Sequence, residues 1–142
     1  MMSEFTLGKM LMPMASKFFA KKRILIIGSD TKAITILSSR LVHTGFQVQI
    51  ANETGEIYRL LKGKPPQLIL LDSSMKELDS FDLLMKLRSE KRFRSIPIFI
   101  LACESEIENI DKALNLGANN YIVKPFDPID IMEKIKKAVG KK

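Results

Sequence analysis

Leu68, Ile69, Leu70 and Leu71 stand in a row, with Pro65-Pro66 before them and the loop-like stretch Ser73 to Ser80 after them. A run this short and apolar throughout suits a strand covered on both faces, as in the middle of a parallel sheet. That demand for two covering layers constrains the rest of the chain. Helices must precede and follow the strand and pack on opposite sides of it. Asp72 ends the run. Open α/β sheets place their sites at the carboxyl ends of strands, so Asp72 is a candidate functional carboxylate. The plainer alternative is a carboxylate that only caps the following loop.

The flanking sequence supplies the layers. Arg23 to Ile27 reads as a first strand, and Gly28-Ser29-Asp30 as its turn. Asp30 can cap a helix over Thr31 to Thr44 with Ile34, Leu37 and Leu41 inward, stopped by Gly45. Gln47 to Ile50 alternates polar and apolar, as an edge strand does. Asn52 is the expected cap of a second helix with Ile57, Leu60 and Leu61 inward, ended by Gly63. Asp79 can cap a third helix carrying Phe81, Leu84 and Leu87. Pro97 to Leu101 reads as a fourth strand. Ser105 and Glu108 form a capping box for a fourth helix with Ile107, Ile110 and Leu114 on one face, ended by Gly117. Tyr121 to Val123 is a short fifth strand. Asp127 caps the last helix, Pro128 takes its first position, and Phe126 and Ile131 are placed for a hydrophobic staple. Five β-α units in succession predict one parallel sheet with helices on both faces.

The chain has 142 residues, which is enough for one domain with a real core. Its single cysteine, Cys103, rules out a disulfide framework or a zinc cluster and suits a reducing cytoplasm. Cys103 is expected as a small buried filler. With one histidine, His43, at the end of the first helix, no histidine-rich metal site can be assembled. Residues 1–20 hold five of the eight methionines and lack any strand or repeat pattern. They read as a mobile leader, or else as a short amphipathic segment that docks on a partner, ahead of a domain over residues 21–142. Nothing approaches the ~20 consecutive apolar residues that a membrane helix needs.

Several landmarks together resemble a known family. Asp72 follows an apolar strand, Met75 and Asp79 lie beyond it, and Ile96-Pro97 opens the fourth strand. Gly117-Ala118, Tyr121 and Lys124-Pro125-Phe126 follow in order. Residues 22–140 resemble the response-regulator receiver domain, the phosphoacceptor module of two-component phosphorelay signalling. The resemblance implies a flavodoxin-like (βα)5 fold, a doubly wound five-stranded parallel sheet of order 2-1-3-4-5. It implies that Asp72 is the phosphoacceptor, Lys124 the pocket cation, Tyr121 the aromatic switch, and Pro125 a cis-proline. It also implies that the chain is no enzyme in its own right. A conventional member would take its phosphoryl group from a histidine kinase or a small phosphodonor.

Three departures bear on that chemistry. The family's acidic pair at the end of the first strand falls on Gly28 and Ser29, with Asp30 one residue further on. The hydroxyl residue at the end of the fourth strand is Ala102. The Pro and Gly of the loop after the phosphoacceptor are Lys76 and Ser80. Mg²⁺ demands a shell of oxygen ligands and a negative site. Asp72 and Lys124 alone sum to zero. The ion pair is therefore expected to be direct, with nothing else competing for the lysine. A weakly held Mg²⁺ is the most the site would take, on Asp72 and the Ser74 carbonyl, joined by Asp30 if the turn slips by one residue. Acids restored at Gly28 and Ser29 are expected to recover the metal. Ala102 leaves room for Tyr121 to turn inward. Together these departures predict a degenerate, stand-alone receiver that signals through protein contacts.

The net charge of +7 allows an acidic partner. Arg40, Lys62, Lys64, Arg88, Lys91, Arg92, Arg94, Lys136, Lys137, Lys141 and Lys142 fall at helix ends, with Lys21 to Arg23 beside them. A basic face for an acidic partner is thus one reading, and helix-dipole complementarity is the simpler one. The expected partner is a signalling protein or a histidine kinase, with the chain a monomer or weak homodimer. Neither a membrane nor a nucleic acid is favoured, since no aromatic-rich strand-binding surface or DNA-reading helix pair stands out.

Overall fold

A computed structural model describes residues 22–140, with only the backbone described at 104–106. The leader reading, and Lys21, Lys141 and Lys142 of the basic face, lie outside the described residues. Five strands carry the chain: β1 Arg23–Ile27, β2 Gln47–Ala51, β3 Leu68–Asp72, β4 Ile98–Cys103 and β5 Asn120–Lys124. The helices are α1 Thr31–Thr44, α2 Thr54–Lys62, α3 Ser80–Ser89, α4 Ile110–Asn115 and α5 Pro128–Gly140. All strand pairs are parallel, and the sheet order is β2-β1-β3-β4-β5. This is the flavodoxin-like order expected from the sequence.

Strand periodicity divides the core. Leu25, Ile27, Ile69, Leu71, Ile98, Ile100 and Ala102 face α2, α3 and α4. Ile24, Ile26, Leu68, Leu70, Phe99, Leu101 and Ile122 face α1 and α5. Every residue of β3 is buried, whereas β2 at the edge buries only Ala51. The contrast is what an uninterrupted apolar run and an alternating one demand.

Several helix starts follow the sequence. Asp30 Oδ1 accepts from the Ala33 N–H, and Asp79 Oδ1 accepts from Phe81 and Asp82. Asp127 Oδ1 accepts from Ile129. Gly45 ends α1 in the left-handed region at φ 113°, where a glycine meets no Cβ penalty. The Lys124-Pro125 bond is cis.

Two helix expectations need correction. Asn52 does not cap α2, because the sheet runs through Ala51 and the helix begins at Thr54 with Glu53 in the cap position. No α-helix opens at the expected capping box. A 3₁₀ segment spans Glu104–Asn109, and α4 starts only at Ile110. Three residues per turn shift the phase of the apolar positions. Ala113 therefore faces the core, while Ile107 and Leu114 are exposed.

Candidate functional site

The parallel register brings the ends of β1, β3 and β5 together. Ile27 lies beside Leu71, Asp72 beside Leu101, and Cys103 beside Lys124. The Asp72 side chain is wholly buried. Its Oδ1 accepts from the Ser74 N–H at 2.9 Å and from Lys124 Nζ at 3.0 Å. Its Oδ2 is buried and has no hydrogen-bond partner.

Lys124 and Asp72 thus form the direct pair expected from the sequence, but the pair is not alone. Lys124 Nζ also donates to Asp30 Oδ2 at 2.8 Å. The expectation that nothing else competes for the lysine is overturned. One carboxylate does two tasks here: Oδ1 caps α1 and Oδ2 holds Lys124. A cap signal in the sequence hid the second task. The only hint was that Asp30 stands one residue beyond the acidic-pair positions.

Electrostatics follow from this geometry. Burial opposes the charge on Lys124, yet its hydrogen bonds to Asp30 and Asp72 and their negative charges outweigh it and hold the ammonium above its ordinary range. The hydrogen bond from Lys124 is the main reason the Asp30 carboxyl lies below its usual range, against the opposing effect of burial. Two carboxylates and one ammonium leave the pocket with a formal charge of about −1.

Gly28 and Ser29 take different places. Gly28 is buried against Asp72, and a Cβ built on it would stand 2.4 Å from the Asp72 Cβ and 3.1 Å from Oδ2. Ser29 is exposed, with Oγ at 3.5 Å from the Ser74 carbonyl and 3.4 Å from its hydroxyl. Ala102 is fully buried, and Tyr121 is half-buried, packed against the cluster that contains Ala102. Cys103 is exposed at the end of β4, not the buried filler expected, because β4 runs beyond the predicted Leu101 and its last residue passes the covering helix layer.

These residues do not fit a resident divalent ion. Mg²⁺ requires near-octahedral oxygen coordination. Asp72 Oδ2 is the only oxygen of the two carboxylates without a hydrogen bond, and it is buried. Among the described residues no group of three His, Cys, Asp or Glu side chains converges.

The basic face also changes character. Arg88 is a clamp rather than a surface charge. Its Nε donates to the Gly117 carbonyl at 2.9 Å, and its other nitrogens donate to Phe93, Ile96 and Asn119 Oδ1 at 2.7–2.8 Å. Arg23 donates to the Lys64 and Pro65 carbonyls, and Arg92 to the Gly63 carbonyl. These contacts direct three of the cations onto the chain's own carbonyl groups. No described helix is long and apolar enough to cross a membrane.

Comparison with known proteins agrees with the geometry. Residues 24–136 match the family described as the response regulator receiver domain. The chemotaxis protein CheY1 of Helicobacter pylori is 32% identical over 120 residues, which cover 83% of this chain and 97% of that protein. A probable transcriptional regulator, ycf27 of Porphyridium aerugineum, is 34% identical over 116 residues. These cover 82% of this chain but 47% of the relative, so the chain spans about half of that protein's length. A CheY-like receiver domain protein from Methanospirillum hungatei superposes with a TM-score of 0.75 at 30% identity, covering 84% of this chain and 94% of that one. With the sheet order, the Asp72–Lys124 pair and the cis Lys124-Pro125 bond already in place, the chain belongs to the response-regulator receiver domain family of two-component signalling.

Proposed function

We propose that this receiver domain signals mainly through protein contacts, with Asp72, the phosphoacceptor-equivalent residue, held in a structural ion pair. The observation that carries this is the Lys124 ammonium shared between Asp72 and Asp30 at 3.0 and 2.8 Å. A phosphoryl group on Asp72 would carry about −1.5 to −2 charges in place of the carboxylate's −1, in a pocket that is already negative and whose one cation is engaged twice. Ala102 offers no hydroxyl to a phosphoryl oxygen, so the link from β4 to Tyr121 that the family uses is weakened. The partner is a signalling protein or a histidine kinase, met in a reducing cytoplasm, and the domain itself is no enzyme. The test is incubation with a small phosphodonor and Mg²⁺, read by intact mass. Little or no adduct is expected.

One observation favours a second reading, a working phosphoacceptor. Asp72 Oδ2 is uncommitted to any protein donor and is the oxygen on which an acyl phosphate would form. Stoichiometric labelling that needs both Mg²⁺ and Asp72 in that experiment would establish it in place of the first.

A further inference from the structure

We propose that Gly28 and Ser29 specify the pocket for an internal ammonium and exclude a divalent ion, with Asp30 keeping Lys124 in the cation position. This deepens the ion-pair reading of Asp72 and rests on it. The steric half of the inference lies in Gly28. Its N–H donates to the Ala51 carbonyl at 3.0 Å, which ties this point of the chain to β2. On its other side a Cβ would come within 2.4 Å of the Asp72 Cβ, closer than real Cβ contacts allow. No acid fits at position 28 unless the end of β1 moves away from β3. The sequence-based expectation that acids at both positions would recover a metal is therefore narrowed to Ser29.

The electrostatic half lies in the count of charges and oxygens. Asp72 Oδ1, Asp30 Oδ1 and Asp30 Oδ2 each accept a hydrogen bond already. A divalent ion could take only the buried Asp72 Oδ2 without breaking a hydrogen bond, and to gain Asp30 as a second carboxylate it would have to displace Lys124 or the α1 cap, in a pocket of formal charge about −1. Ser29 is the open position. It is exposed and its hydroxyl lies beside the Ser74 carbonyl, so an acid there would take the pocket to about −2 and add an oxygen ligand without entering the packed contact at Gly28.

The experiment titrates MgCl2 into the wild type, Ser29→Asp, Gly28→Asp and Asp72→Asn with no phosphodonor present, followed by amide chemical shifts and by Tm. No saturable binding is expected at millimolar Mg²⁺ in the wild type. Ser29→Asp should bind Mg²⁺ saturably in that range, with a Tm that rises with Mg²⁺. Gly28→Asp should lose Tm and gain no binding. Saturable wild-type binding that Asp72→Asn removes would overturn the proposal. So would a Gly28→Asp protein with wild-type Tm, or a Ser29→Asp protein as indifferent to Mg²⁺ as the wild type. Because no phosphodonor is used, these outcomes are separate from the labelling test. Asp72 labelling in the presence of a chelator would defeat the ion-pair reading and leave cation exclusion standing.

Discussion

Replacing Lys124 with methionine removes the ammonium and keeps most of the side-chain volume. Asp72 then keeps only the Ser74 N–H on Oδ1, and Oδ2 still has no partner. Breaking a buried ion pair by removing one partner costs about 3–5 kcal/mol. The loss at pH 7 should therefore be about 3–5 kcal/mol, a large share of the stability of a small domain. Asp30 adds little, because its side chain is 31% exposed and water can replace the ammonium. Urea unfolding of both proteins at pH 7, followed by circular dichroism, measures the difference. A deficit below about 1 kcal/mol at pH 7 would refute this account of the pocket.

Three further outcomes follow from the same structure. Because the folded Asp30 carboxyl lies below its ordinary range, its contribution is complete above the unfolded value near 3.8 and is lost as pH falls through the folded value; Asp30→Asn should flatten the acid limb of a stability-versus-pH curve. Lys124 is raised, so its contribution holds below about 10.5 and fades as pH climbs through the folded value; a wild-type Tm that stays level through strongly alkaline pH would contradict this. Arg88→Met should cost about 3 kcal/mol in chemical denaturation, because part-buried carbonyls at Phe93, Ile96 and Gly117 lose a charged donor, and Arg88→Lys should recover only part of it since one ammonium cannot span that fan of acceptors.

The alternation of strands and helices was legible in the sequence because it rests on local periodicity. The continuous run of β3, the alternating run of β2 and the caps at Asp30, Asp79 and Asp127 each speak through neighbours a few residues away. The Asp72–Lys124 pair was legible through the resemblance to the receiver family, and both residues end strands of the sheet. The fourth helix was misread because a 3₁₀ segment of different pitch precedes it, and pitch is not written in an apolar spacing. The rest was decided only by tertiary contact. Gly28 touches Asp72 because β1 and β3 pair in one particular register, across 44 residues of chain. Asp30 meets Lys124 across 94 residues, and its sequence neighbours reveal only the cap. Arg88 reads as a helix-end cation until the backbone folds carbonyls from two other segments around it. A side chain with two oxygens or several donors can satisfy a local rule with one atom, and only the assembled structure assigns the others.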